Sequence, residues 1–357
     1  MIKSAYIHIP FCDSICSYCD FAKFLKSTNY VDKYLSSLEK EIQKNYKGEV
    51  LNTLYVGGGT PSCLNICELE KLLKILSSFN TENLEYTFEA NIENIDEEKV
   101  NLLKQYGVNR ISLGIQTFNP KYLKFLNRNH TKNQVFEKID MIKKYIKNIN
   151  VDLMYAFPDQ TLDELKEDID IFKSLDVPHI STYSLIIEEN TVLHNQKIEN
   201  IDSDLDALMY ELIINSLSNY HHYEISNFAK NGYESCHNLV YWNNLEYYGF
   251  GLGASGYVNS IRYENTRSIN NYFNGKTRYS EHKLEKKEKI ENELILGFRK
   301  IDGINIIDFK KKYDMDIFDV ENINELLKQD KLILNNNMIY INPKYIYTSN
   351  DILFLFI

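Results

Sequence analysis

Short apolar segments alternate with amphipathic segments through the first half of the chain, and this alternation constrains the fold more than any other feature. The apolar segments predicted as strands are Ala5 to Ile9, Leu51 to Val56, Leu84 to Ala90, Arg110 to Ile115, Ile149 to Tyr155 and His179 to Ile187. The segments between them carry apolar residues at helical spacing. Strands that alternate with helices form parallel sheets with right-handed crossovers. The sequence therefore predicts an α/β fold with its chemistry at the carboxyl ends of the strands.

Three cysteines follow the first strand directly. Cys12, Cys16 and Cys19 have the spacing CxxxCxxC, and three thiols cannot all pair with one another as disulfides. A zinc site or buried core cysteines are the alternatives, but zinc usually takes paired CxxC motifs and a fourth protein ligand. Thiolates at close spacing hold iron–sulfur clusters, four of them in a 4Fe-4S centre. Three ligands leave one iron open to a small molecule, so the spacing favours a 4Fe-4S cluster.

The strings YIHIPFC and CSYCDF resemble the signature of the radical S-adenosylmethionine (SAM) superfamily. In that superfamily the amino and carboxylate groups of SAM bind the open iron. The strings are most similar to the branch that contains oxygen-independent coproporphyrinogen III oxidase and the HemW family. The resemblance implies a partial (β/α)6 barrel, a 4Fe-4S cluster with SAM, and an electron donor such as flavodoxin or ferredoxin.

Further residues at or near the predicted strand ends are implied to contact SAM. A glycine run, GGGTP, follows the second strand, and glycine lets the backbone approach a ligand closely because it has no Cβ. The resemblance assigns SAM contacts to Tyr6, Tyr18, Gly58, Gly59, Thr60, Glu89, Gln116, Arg128, Asp152 and Ile186. Glu89, Gln116 and Asp152 suit the ribose hydroxyls or the ammonium group, and Arg128 suits the carboxylate. Ile186 would pack on the adenine. A structural hydrogen bond is the alternative for each polar residue.

A second informative string, SCHNLVYWNN, begins at Ser235 and contains the pattern HNxxYW. Imidazole is a common axial ligand of heme iron. HNxxYW resembles the motif that marks the HemW family and is tied to heme binding there, so the resemblance implies His237 as a heme ligand. The alternative is an imidazole that buttresses a glycine-rich turn.

Two departures separate this chain from the oxidase. The oxidase has a fourth cysteine two residues after the third, where this chain has Phe21, and an extension before the barrel, whereas the first strand here begins at Ala5. Both departures favour a heme chaperone that binds heme and hands it to an acceptor protein. The alternative is an oxidase that converts two propionates of coproporphyrinogen III into vinyl groups. Reductive cleavage of SAM is the reaction that the superfamily implies, but the residues identify no substrate for it.

Three parts are predicted along the 357 residues. Residues 1–220 form the radical SAM partial barrel, 221–282 an HNxxYW and glycine-rich extension packed on it, and 283–357 a C-terminal α+β domain similar to a winged helix. The charge-rich segment Lys283 to Lys289 is predicted to be a solvated linker. A net charge of -10 argues against nucleic acid as a partner, because such binding relies on Lys and Arg.

The expected location is the cytoplasm. No apolar run approaches the ~20 residues that span a bilayer, and the segment MIKSAYIHIP lacks the features of a signal peptide. Six cysteines without a secretory signal fit a reducing compartment. A membrane-bound respiratory protein is one candidate heme acceptor, and it would place this protein at the inner membrane face.

Overall fold

A computed structural model describes residues 2–189 and 191–357. The first part alternates strand and helix as predicted. Its strands are β1 (Ser4–Ile9), β2 (Phe11–Cys12), β3 (Phe24–Leu25), β4 (Leu51–Gly58), β5 (Thr81–Ala90), β6 (Arg110–Gln116), β7 (Asn148–Tyr155) and β8 (His179–Ser184). Its helices are α1 (Thr28–Asn45), α2 (Ile66–Leu76), α3 (Glu97–Gln105), α4 (Pro120–Phe125), α5 (Lys132–Lys143), α6 (Leu162–Ser174), α7 (Val192–Asn195) and α8 (Ser203–Ser216).

The remainder of the chain has shorter elements. Its strands are β9 (His221–Glu224), β10 (Asn227–Ala229), β11 (Tyr248–Phe250), β12 (Ser255–Val258), β13 (Ile261–Asn265), β14 (Arg278–Lys283), β15 (Ile304–Asn305), β16 (Leu332–Asn335) and β17 (Met338–Ile341). Its helices are α9 (Cys236–Trp242), α10 (Ile269–Phe273), α11 (Lys286–Gly297), α12 (Ile306–Tyr313), α13 (Ile323–Lys328) and α14 (Ser349–Leu353). None of the helices described is long and apolar enough to cross a membrane.

One nine-stranded sheet organises the molecule, in the order β11-β1-β4-β5-β6-β7-β8-β10-β9. The strands from β11 through β8 are parallel, and β10 and β9 are antiparallel additions beyond β8. Strands β11 and β9 are the two ends of this order and do not pair with each other in the described residues. The predicted partial barrel is confirmed, and the extension after residue 220 supplies both of its edges.

The two faces of the barrel strands differ in character because side chains alternate along a strand. On β6, Ile111 and Leu113 face outward into the main hydrophobic core. Ser112, between them, joins a hydrogen-bonded group on the opposite face. There the amide of Asn150 donates to Ser112 Oγ at 2.8 Å, and its Oδ1 bonds His179 Nδ1 at 2.6 Å. The lumen is therefore polar, unlike the branched apolar filling of a closed (β/α)8 barrel.

Residues 286–357, called the C-terminal module below, enclose a hydrophobic core of their own. The element order is helix, strand, two helices and a hairpin, and the sheet order is β15-β17-β16. Asn336 and Asn337 turn the hairpin with φ of 48° and 65°, the left-handed conformation that a two-residue turn requires. This arrangement agrees with the predicted winged-helix-like fold.

The predicted solvated linker from Lys283 to Lys289 is wrong. Lys283 ends β14, and α11 begins at Lys286 with a capping box between Glu285 and Glu288. The charges lie on the exposed side of the first helical turns, while Ile290 on the other side is buried. A run of charges has the same appearance in a linker and on the outer face of an amphipathic helix.

Backbone hydrogen bonds fasten the C-terminal module to the β9 edge of the barrel. Ile225 N donates to Arg299 O at 3.1 Å, and Ile301 N donates to Tyr223 O at 3.2 Å. Between these bonds Glu224 and Lys300 form an antiparallel bridge. The module is thus held at a strand edge by main-chain contacts.

We expect the free energy of unfolding to depend on pH because of Glu224 at this junction. Its carboxylate is 0% exposed and accepts hydrogen bonds from Ser226 N and the Asn227 amide. Burial raises its pKa to about 7, so the folded protein still holds a proton that the unfolded chain has lost by pH 6. The free energy of unfolding therefore falls as pH rises through 7, by about 1 kcal/mol between pH 6 and 8.

Glu224→Gln keeps the shape of the protonated carboxyl and removes its titration. Urea unfolding at pH 6 and pH 8 should show a smaller decline for this variant than for the wild type, by about 1 kcal/mol. Glu137→Gln, on the exposed face of α5, is the control and should decline as the wild type does. An identical decline in all three proteins would contradict the assignment.

Candidate functional site

A cavity of about 350 Å³ lies at the carboxyl ends of the barrel strands. Most of the predicted site residues line it. They are Cys12, Cys16, Tyr18, Cys19, Gly58, Gly59, Thr60, Glu89, Gln116, Arg128 and Asp152. Residues from five different strands or the segments that follow them therefore meet at one place, as a parallel sheet requires. Tyr6, Ile186 and His237 do not line this cavity.

The cysteine loop forms one wall. Cys12 is buried at the end of β2, and its sulfur accepts a hydrogen bond from Thr60 Oγ1 at 3.5 Å. Cys16 and Cys19 are half-buried, and all three thiols are free. Backbone bonds from Phe24 N to Pro10 O at 2.7 Å and from Lys26 N to Cys12 O at 2.9 Å close the base of the loop. The thiols are thus held around the mouth of the cavity.

The segment after β6 fixes the outer part of the loop. Arg128 Nη2 donates to the Tyr18 hydroxyl at 3.3 Å, and Asn127 Nδ2 donates to Ile15 O at 3.0 Å. Ser17 N also donates to Leu126 O at 3.4 Å. These bonds couple the position of the thiols to the barrel.

The three thiols line a cavity and do not converge on a single metal position. Within residues 2–189 and 191–357, no three His, Cys, Asp or Glu side chains converge as ligands of a single metal ion. In a 4Fe-4S cluster each cysteine binds a different iron, so this convergence is not required. Three free thiols around one cavity fit such a cluster.

The glycine run brings β4 against the cysteine loop. Gly59 N donates to Ile9 O at 2.9 Å, and Thr60 N donates to Phe11 O at 2.7 Å. A Cβ on Gly59 would lie 2.8 Å from Phe11 O and 3.0 Å from Cys12 Sγ. Only glycine permits this approach. Gly59 itself forms part of the cavity wall.

Two carboxyl groups lie in the lumen at the cavity. Glu89 Oε1 accepts from the Tyr55 hydroxyl at 2.8 Å, and Oε2 accepts from Gly58 N at 2.9 Å. Burial raises the pKa of Glu89 to about 7, although these hydrogen bonds oppose the shift. Burial likewise raises the pKa of Asp152 to about 6. A cationic or hydroxyl-bearing ligand would stabilise both carboxylates.

Gln116 and Arg128 carry buried polar atoms without partners. Gln116 ends β6 with a φ of 75°, which is uncommon for a residue other than glycine, and its Oε1 makes no hydrogen bond. Arg128 Nη1 donates to Asn91 Oδ1 and to Gly114 O, both at 3.0 Å, but its Nε has no partner. Unsatisfied buried atoms are rare and call for an explanation. A polar ligand in the cavity supplies one, and SAM, with its ammonium, carboxylate and ribose groups, fits.

Tyr6 lies behind the cavity and not in its wall. Its hydroxyl bonds His8 Nδ1 at 2.9 Å, and His8 Nε2 bonds Ala22 O at 2.8 Å. The chain Tyr6–His8–Ala22 therefore ties β1 to the loop that carries the cysteines. This geometry supports a positioning role.

Ile186 is also outside the cavity. The predicted sixth strand ran to Ile187, but β8 ends at Ser184, and Ile186 is 62% exposed. Met154 and Tyr183 line the wall instead. Neither residue was predicted from the sequence. Met154 could have been, because it lies two residues after Asp152 on β7, and side chains two residues apart on a strand lie on the same face.

His237 is enclosed at the start of α9. Its Nδ1 bonds Thr53 Oγ1 and its Nε2 bonds the Tyr241 hydroxyl, both at 2.8 Å. The residue is 1% exposed, and burial lowers its pKa to about 3. Both ring nitrogens are therefore engaged in hydrogen bonds, as in the buttressing alternative, and the role of His237 as a heme ligand stays a prediction.

Known proteins match this chain in sequence and in fold. The Radical SAM superfamily matches residues 6–172. The heme chaperone HemW of Lactococcus lactis is 42% identical over 98% of this chain and 96% of its own length. The heme chaperone HemW of Bacillus subtilis is 39% identical over 87% of both chains.

Among solved structures, coproporphyrinogen III oxidase (HemN) from Escherichia coli superposes with a TM-score of 0.87. The match covers 99% of this chain and 90% of the oxidase at 20% identity, so it establishes a shared fold alone. The identity to the HemW proteins extends across the barrel, the extension and the C-terminal module. This chain belongs to the HemW family of the radical SAM superfamily.

Proposed function

We propose that this protein is a heme chaperone, which binds heme and transfers it to an acceptor protein. The observation that carries the proposal is the match to HemW over 98% of the chain at 42% identity. The match includes the segment around His237 and the C-terminal module, and not only the barrel that many radical SAM proteins share.

The rival function is the oxidase reaction on coproporphyrinogen III. The fold is that of the E. coli oxidase, but 20% identity carries no argument about activity. Phe21 occupies the place of the oxidase's fourth cysteine, and its ring is 61% exposed. The local sequence therefore favours the chaperone.

We further propose that Cys12, Cys16 and Cys19 hold a 4Fe-4S cluster and that SAM binds beside it. Bound together, they supply one-electron redox chemistry at the open iron. The protein's own part is to hold and orient. Thr60 donates a hydrogen bond to the Cys12 sulfur, and the backbone of the glycine run lines the SAM site.

The SAM site divides by charge. Glu89 and Asp152 are half-buried carboxylates of the cavity wall to which an ammonium group or ribose hydroxyls would bind. Gln116 and Arg128 offer an unpaired oxygen and an unpaired N–H for the remaining polar groups. Tyr18 holds the Arg128 guanidinium, and so sets its direction.

The exposed surface beside the cysteine loop is a candidate docking site for an electron donor. Phe21 and Leu25 are 61% and 59% exposed, and Lys23 lies between them. We infer that an electron donor of the flavodoxin or ferredoxin type, with an acidic rim, docks there. A membrane-bound respiratory protein as heme acceptor would hold this protein at the inner membrane face through that contact.

The test uses one anaerobically reconstituted sample for two assays. Heme titration followed by Soret absorbance should saturate at a fixed stoichiometry, and apo-acceptor should then withdraw the heme. Incubation with coproporphyrinogen III, SAM and reductant should yield no vinyl product. Vinyl product without heme binding would replace the proposed function by the oxidase.

A further inference from the structure

A chain of hydrogen bonds runs along the cavity wall to the sulfur of Cys12. Arg128 Nη1 donates to Asn91 Oδ1 at 3.0 Å. The amide nitrogen of Asn91 donates to Thr60 Oγ1 at 3.2 Å, and Thr60 Oγ1 donates to the Cys12 sulfur at 3.5 Å. All four residues line the cavity at the cysteine loop. The chain therefore connects the predicted SAM site with a predicted ligand of the cluster.

The guanidinium of Arg128 fixes the direction of every bond in this chain. A guanidinium has only N–H donors, so Asn91 must turn its amide oxygen toward Arg128. The NH2 group of Asn91 then faces Thr60, and Thr60 Oγ1 receives a hydrogen from it. The hydroxyl hydrogen of Thr60 is left for the Cys12 sulfur. Arg128 is itself held in place, because its Nη1 also donates to Gly114 O at 3.0 Å.

A capping role does not account for the Thr60 hydroxyl. Thr60 precedes the short 3₁₀ helix Pro61–Cys63, a position where a threonine side chain commonly accepts a backbone hydrogen bond. Among the described residues, none donates such a bond to this side chain, and the carbonyl of Thr60 accepts from Cys63 N at 2.9 Å instead. The hydroxyl oxygen keeps one free lone pair, so the predicted contact of Thr60 with SAM is compatible with the bond to sulfur.

Cys12 is the cysteine at which a hydrogen bond should matter most. It is 6% exposed, whereas Cys16 and Cys19 are half-buried, and a hydrogen bond is stronger where water is excluded. In the loaded protein its sulfur would be a thiolate, which accepts hydrogen bonds and does not donate them. Reduction adds negative charge to a cluster, and hydrogen bonds to the sulfurs help to set its potential. A donor at Cys12 therefore favours the reduced state.

We propose that the Thr60 hydroxyl raises the reduction potential of the cluster through the Cys12 sulfur, and that Asn91 orients this hydroxyl. The inference rests on the cluster in the proposed function. Both are positioning residues in this role, because they act on the cluster through Cys12 and do not bind iron.

Redox titration of the full-length, anaerobically reconstituted protein tests the assignment, with the reduced cluster followed by electron paramagnetic resonance and with SAM left out. Thr60→Val keeps the shape of the side chain and removes the hydroxyl. It should lower the equilibrium constant for reduction about tenfold, a shift of about 59 mV to more negative potential for a one-electron couple. Thr60→Ser keeps the hydroxyl and should titrate as the wild type does. Asn91→Ala should shift the potential in the same direction as Thr60→Val by a smaller amount.

Thr87→Val is the matched control. It removes another buried threonine hydroxyl, on β5, which is 0% exposed and makes no hydrogen bond within the described residues. This hydroxyl does not line the cavity, so the variant should have the wild-type potential.

The outcomes separate the tuning of the potential from the presence of the cluster. Wild-type potentials in Thr60→Val and Asn91→Ala, each with a full iron content, would overturn the tuning and leave the cluster in place. A shift in Thr60→Ser or Thr87→Val as large as that in Thr60→Val would also overturn it. If Thr60→Val takes up no cluster, Asn91→Ala decides alone: a lower potential supports the proposal and a wild-type potential overturns it. A wild-type protein that assembles no cluster would overturn the proposed cluster as well.

Discussion

Cys16→Ser is expected to abolish the iron–sulfur chromophore while leaving the fold intact. Cys16 lies half-buried in the loop at the cavity mouth, so the substitution removes a cluster ligand without opening a core cavity. A serine hydroxyl does not replace a thiolate as a ligand, and two remaining cysteines are too few for a 4Fe-4S centre. After anaerobic reconstitution, the measured iron and sulfide contents should fall from about four of each per chain to a small remaining fraction.

Cys67→Ser supplies the matched control for that experiment. Cys67 is also a free cysteine, but it is exposed on α2 and does not line the cavity. Its variant should take up a full cluster, and circular dichroism should be the same for all three proteins. A full cluster in Cys16→Ser would show that the thiols at this loop are not the ligand set.

The second large effect is expected at His237. His237→Ala should lower the free energy of unfolding by about 2–4 kcal/mol, because it leaves the hydroxyls of Thr53 and Tyr241 without their partner and opens a cavity inside the barrel. Urea denaturation measures the loss. Heme titration of the folded fraction should show weakened binding, as the predicted role of His237 as a heme ligand requires.

Tyr241→Phe tests the hydrogen bonding of His237 with a smaller change. It removes one of the two hydrogen bonds and fills the same volume, so the expected loss is about 1 kcal/mol. A destabilised His237→Ala protein that binds heme with wild-type affinity would contradict His237 as a heme ligand. Heme titration and denaturation on the same preparations distinguish the two results.

The barrel could be predicted from the sequence because the strand pattern and the helix pattern both pointed to alternating strands and helices. Short apolar segments and the helical spacing between them located all the parallel strands from β1 to β8 that form the sheet. The ends of these strands then placed Glu89, Gln116 and Asp152 at one edge. Strand ends were less secure, as the three-residue error beyond Ser184 shows, since an apolar loop continues the pattern of the strand before it.

The features that were not predicted from the sequence depend on contacts between distant segments. Nothing near Tyr248–Phe250 indicates that this short stretch completes the sheet beside β1. Likewise, the motif around His237 does not reveal that Thr53, far away in sequence, occupies one of its nitrogens.

The pairing of the first strand with a late one has a consequence for synthesis in the cell. Tyr6 lies beside Gly249 in the sheet, so β1 leaves the ribosome long before its outer neighbour exists. Chains fold from the amino end as they emerge, and pairings between distant segments form late. The cysteine loop follows β1 directly, yet its barrel is incomplete until about two-thirds of the chain has been translated. We therefore expect iron to be loaded only after β11 has been synthesised.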